Sequence, residues 1–119
     1  MVAAMSPTGR TADGTWQFGV RRTIPLDPAG AWARLDALLE RDDAVGETRS
    51  ETPGVVRRLT YQMPGWPAPA TLQLRVMPTA TGSTLAVHLE QLPDAAARDA
   101  MRDRWKDALE GLAEVRPSR

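Results

Sequence analysis

The chain has 119 residues, with fifteen basic and fifteen acidic side chains, so its formal net charge is zero. That balance, with neither sign gathered into a run, argues against the broad positive field that holds nucleic acid. The absence of cysteine excludes disulfides, thiolate catalysis and thiolate metal sites together and fits a reducing compartment.

No segment approaches the roughly 18 apolar residues needed to span a bilayer. The first residues, Met1 to Ser6, carry neither the charged start nor the apolar stretch of a signal peptide, so the expectation is a cytoplasmic protein without a membrane partner. Residues 1–14 hold Ser, Thr, Gly, Pro and Ala with little to bury and read as a disordered tail, leaving 15–117 as one domain.

From Trp16 the pattern turns to period two, with Trp16, Phe18, Val20 and Ile24 on one face of a half-buried strand. Arg22 breaks that face, at the sheet rim or beside a bulge. Asp27-Pro28 starts a short helix, because Asp27 can accept from the free amides of the first turn and proline suits the first helical position. Ala31, Trp32, Leu35, Leu38 and Leu39 form its stripe, and Glu40 to Asp43 end it in charge.

Val45 to Thr52 and Val55 to Gln62 read as a hairpin turning at Pro53-Gly54. A two-residue loop would set Ser50 opposite Arg57, Thr48 opposite Leu59 and Gly46 opposite Tyr61 on the inner face, with an Arg and Glu ladder in water on the other. Met63 to Pro69 contains three prolines and reads as a loop. Thr71 to Met77 and Ser83 to Gln91 then alternate cleanly, with Leu72, Leu74, Val76, Leu85, Val87 and Leu89 inward and Thr79 to Gly82 between them.

The last helix, from Leu92-Pro93-Asp94 to Val115, is the most periodic segment. Ala97, Met101, Trp105, Ala108, Leu109, Leu112 and Val115 fall on one arc. At about 1.5 Å per residue it is long enough to cross a small sheet. The order of strand, helix, four antiparallel strands and long helix makes an α+β domain with that helix on the sheet's apolar face.

This order, with Val20-Arg21-Arg22-Thr23-Ile24-Pro25 leading into a helix bearing Trp32 and Leu35, carries a resemblance. So do Gly46 to Gly54 ahead of a further strand, and Leu89-Glu90-Gln91-Leu92-Pro93-Asp94 leading into Met101-Arg102, Trp105, Ala108-Leu109 and Leu112. From Val20 to Val115 the chain resembles the family related to the activator of the 90-kDa heat-shock protein ATPase, in the START-like (SRPBCC) helix-grip superfamily. The resemblance implies a curved antiparallel sheet gripping the last helix around an apolar cavity, and it carries no catalytic residue across. Members of that family usually have more chain between the first helix and the next strand than Arg41-Asp42-Asp43-Ala44, which implies a shortened sheet here.

The candidate residues follow from the register and the helix stripe. Arg57, Leu59 and Tyr61 point inward with Thr48 and Ser50, and Met101 and Trp105 line the helix side, so these seven are the expected ligand-binding set. An inward arginine needs an anionic partner or a path to solvent, and if unpaired its replacement by methionine should leave stability level or higher. Trp66 could lid the cavity or tuck over exposed core. His88, the sole histidine, alternates onto the polar face, where it lacks both a metal set and a cleft.

No catalytic or metal site and no cofactor is read from these residues. The leading expectation is a non-enzymatic domain binding a small apolar or amphipathic ligand. A chaperone-activator-type protein-interaction module and a cyclase- or dehydratase-like enzyme are the alternatives, and a homodimer stays open.

Overall fold

A computed structural model describes residues 14–114. All but the last residue of the expected 1–14 tail, and the end of the domain including Val115, lie outside the described residues. The elements are β1 (Trp16–Ile24), α1 (Pro28–Glu40), β2 (Val45–Thr52), β3 (Val56–Tyr61), β4 (Ala70–Pro78), β5 (Ser83–Leu92) and α2 (Ala95–Ala113). The strands form one antiparallel sheet in the order β1-β5-β4-β3-β2, so the first strand closes beside the last.

Both helices start where their caps dictate. The Asp27 carboxylate accepts from the Gly30 amide at 2.8 Å with Pro28 opening the first turn, and the Asp94 carboxylate accepts from the Ala97 amide at 2.7 Å. Each satisfies a donor that the helix leaves without an internal partner. Helix α1 lies over β4 and β5, and α2 over β1 and β5. Strict alternation in β4 and β5 sends Leu72, Leu74, Val76, Leu85, Val87 and Leu89 beneath them, all buried. On α2 the buried stripe is Met101, Trp105, Leu109 and Leu112, joined by Arg98, whose guanidinium stacks 5.0 Å from the centre of the Trp16 ring and bonds Asp99 at 2.6 Å. Arg22 turns toward α2 and faces Glu110 at 3.8 Å.

The connection from β1 to α1 is clamped by the β4–β5 turn. Ile24 pairs with Ser83, and the fully buried Ser83 hydroxyl donates to the Leu26 carbonyl at 2.8 Å. Gly82 lies so close to the Ile24 carbonyl that any Cβ there would strike it. At the far end of β5 an extra residue enters the ladder, since Phe18 pairs with Leu89 but Trp16 with Leu92. Gln91 takes a left-handed φ of 69° at this bulge, and its side chain accepts from the Thr71 hydroxyl at 2.6 Å.

The β2–β3 hairpin departs from the expected register. Thr52 pairs with Val56, so the turn holds Pro53, Gly54 and Val55, and a further irregularity falls between Thr48 and Ser50. Thr48 still meets Leu59, but Ser50 now meets Arg58 and Glu51 meets Arg57. One residue of slip exchanges faces, because side chains alternate with period two. Glu51 therefore joins Arg57 in an ion pair at 3.1 Å rather than standing in an outer ladder. Thr48 and Ser50 are both exposed, because no helix covers the edge strand β2.

Candidate functional site

The site is built where α1 ends. The chain turns from Glu40 through Arg41, Asp42 and Asp43 into β2, and the turn is fixed by the Asp42 carboxylate, which accepts from the Ala44 amide at 3.0 Å. The same carboxylate accepts from the Tyr61 hydroxyl of β3 at 2.7 Å and faces the Arg104 guanidinium of α2 at 3.4 Å. One side chain, only 11% exposed, thus ties α1, the sheet and α2 together.

Tyr61 is fully buried, with its ring 6.0 Å from Trp105 and 6.3 Å from Trp66, tilted against both. Burial is the largest cause holding its hydroxyl above the ordinary tyrosine range, followed by the hydrogen bond to Asp42 and the charge there; Arg104 and Trp105 pull more weakly downward. The indole N–H of Trp105 is enclosed and makes no well-aligned hydrogen bond, and the Tyr61 hydroxyl is the oxygen it acts on.

Above this cluster runs a groove of about 620 Å³, walled by Arg41, Asp42, Met63, Trp66 and Arg104. Its loop side is pinned by the Gln62 amide donating to the Ala44 carbonyl and by the Gln62 side chain donating to the Trp66 carbonyl, both at 2.9 Å. A recess of about 110 Å³ shares Arg41, Asp42 and Arg104 with the groove and runs in past Leu38 and Ala108 to Trp105.

No protein-family model and no curated protein matches the sequence. Solved structures do match. Protein CV1439 from Chromobacterium violaceum is similar over 86% of this chain and 99% of its own, with a TM-score of 0.67 and 16% identity. The AHSA1-like protein from Rhizobium etli is similar over 85% of this chain and 81% of its own, with a TM-score of 0.63 and 18% identity. The fold is the helix-grip fold. The di-domain ARO/CYC StfQ from the steffimycin biosynthetic pathway is similar as well, at a TM-score of 0.55 and 16% identity, over 82% of this chain and 47% of its own length.

Within this helix-grip frame, the residues singled out from the sequence separate into four groups. Trp105 stands at the inner end of the recess and Trp66 in the groove wall, while Tyr61 packs against both rings and lines neither space. Leu59 and Met101 are packed into the core. Arg57 does face the helix side, but its guanidinium bonds Asp36 at 2.7 Å and Glu51 at 3.1 Å and lies 5.1 Å above the Trp32 ring. Burial lowers its pKa and the two carboxylates more than reverse that, so the cation is held by the protein's own groups. The space left beside it is about 10 Å³, the size of one water at most. Thr48 and Ser50 stand apart on the exposed edge.

Sequence reasoning missed Asp42 and Arg104. Asp42 two residues before Ala44 is a turn signal that could have been read; Arg104 lies on the polar arc of α2, and nothing in the sequence distinguishes it from its solvated neighbours.

Proposed function

We propose that the protein is a non-enzymatic binding domain for a small amphipathic molecule, held in the groove between the end of α1, the Met63–Trp66 loop and α2, with its apolar end in the recess. Helix-grip proteins bind ligands in a cavity, which supports the reading. The observation that carries it is the recess that runs in from the groove, past Leu38 and Ala108, to the buried ring of Trp105. Met63, Trp66 and Ala108 offer apolar contact, and Arg41 and Arg104 stand at the rim for a polar or anionic end. The groove volume lies in the range of small-molecule sites, roughly 300–1,000 Å³.

An outer docking face of the chaperone-activator kind is less well supported, because Val55 is the one large hydrophobic residue exposed among the described residues. Native mass spectrometry of the gently purified protein, followed by a thermal-shift screen of amphipathic carboxylates and alcohols, tests the proposal. A retained mass or a stabilising compound is expected, and Ala108→Trp, which fills the recess, should abolish it while the variant stays folded. No retained mass and no stabilisation across the screen, or equal stabilisation of the filled variant, would overturn it.

A further inference from the structure

The sheet face turned away from both helices carries a second, independent feature. Ala86 of β5 pairs with Arg21 of β1 on one side and with Arg75 of β4 on the other, so the two arginines stand two strand spacings apart, roughly 10 Å between backbones, with only a methyl group between them. One row along, Gly19 pairs with His88, again leaving no bulk beside Arg21. Gly19 and Ala86 thereby open a depression of about 440 Å³, with Arg21, Arg75, His88, Gln73 and Met77 around it.

Its two arginines are without a counter-ion among the described residues. The carboxylate of Glu90 on this face stands behind the His88 side of the depression at 3.6 Å from that ring, faces Arg58 at 3.9 Å, and does not itself line the depression. Arg58 is occupied further by the Gln73 side-chain oxygen at 2.9 Å, which leaves the Gln73 NH₂ free to donate toward the depression. Among the described residues no carboxylate lies at ion-pairing distance from Arg21 or Arg75, and both are exposed. Two guanidinium forks that can converge over a small floor match a group with several oxygens and two negative charges better than a single carboxylate. The depression is also much larger than one such group, and Met77 gives it an apolar wall.

We infer that this face binds the phosphate group of a small phosphomonoester between Arg21 and Arg75. The test is an amide chemical-shift titration with phenyl phosphate and with inorganic phosphate at constant ionic strength. Shifts should concentrate at Gly19, Arg21, Arg75, Ala86 and His88. Arg21→Gln and Arg75→Gln, both at exposed positions, should each weaken binding about ten- to a hundredfold by removing charge-assisted contacts. Ala86→Glu, which sets a carboxylate between the arginines, should abolish binding while the spectrum stays that of the folded protein. Tighter binding of phenyl phosphate supports the ester, and equal binding of both probes overturns the organic part while keeping the anion site. Shifts spread equally over Arg34, Arg49 and Arg102, or affinities unchanged in both glutamine variants, would overturn the site itself. Ala108→Trp should leave this titration unchanged, so failure here and failure of the groove are told apart.

Discussion

Tyr61→Phe removes one hydroxyl from a fully buried ring and nothing else. The hydroxyl donates at 2.7 Å to a carboxylate that is itself 11% exposed, a charge-assisted bond of about 1.5–3 kcal/mol. Asp42 keeps the Ala44 amide and Arg104, so the loss should stay within that range rather than reach the cost of a stranded ion. In a domain of this size that lowers the melting temperature on the order of 10 °C.

The alkaline side gives an independent reading. The folded hydroxyl is raised above its unfolded value, mainly by burial and then by Asp42. The stability linked to it is fully present below pH about 10 and is lost as pH rises through the folded value. Tyr61 is the sole tyrosine of the chain, so tyrosinate absorbance reports this residue alone. The expected result is little tyrosinate near pH 10 while the protein is folded, and a steeper alkaline loss of stability in wild type than in the variant. Tyrosinate forming at its ordinary pH in the folded protein, or a denaturation midpoint for Tyr61→Phe within error of wild type, would refute the buried hydroxyl–carboxylate pair.

Arg57→Met should destabilise by about 1–3 kcal/mol, the reverse of what an unpaired inward arginine would give, because it strands Asp36 and Glu51 and removes the stacking on Trp32; a denaturant midpoint equal to or above wild type would contradict it. Trp105→Ala should cost roughly 3–5 kcal/mol, read as a large fall in the same midpoint. Gly82→Ala should cost about 1–3 kcal/mol, since the new Cβ meets the Ile24 carbonyl and backbone cannot yield; an unchanged melting curve would mean that the turn and β1 are not clamped together.

What could be read from the chain was what local periodicity encodes. The Asp27 N-cap, the stripe of α1, the alternation of β4 and β5, and the Met101–Trp105–Leu109 face of α2 are consequences of spacing within a few residues, and they fall where the sequence puts them; the last helix starts at Ala95, after its Asp94 cap, rather than at Leu92, which ends β5. The β2–β3 register was not fixed in the same way. A turn of two residues or three is compatible with Pro53-Gly54, and β2 has no buried face whose apolar pattern would choose between them. The polar centre was harder still. Asp42, Tyr61 and Arg104 are brought together from three elements, and single-sequence reasoning has no term for a meeting 62 residues apart in the chain. Arg98 against Trp16 was missed for a related reason, because an arginine on a helix reads as wet until a ring from another element covers its stem.

The closing of β1 against β5 sets the order in which the chain can fold. Thr23 and Thr84, hydrogen-bonded at 2.9 Å, are 61 residues apart, whereas β2, β3, β4 and β5 each find their neighbour across a short turn or loop. The entropy of closing so long a loop is lost before any contact rewards it, so the meander forms first and β1 docks late. During synthesis β1 leaves the ribosome well before β5 exists, with Trp16, Phe18, Val20 and Ile24 uncovered until that partner follows. The interval in which this protein is most exposed to aggregation therefore begins with its first strand and ends only when β5 and α2 emerge to cover it.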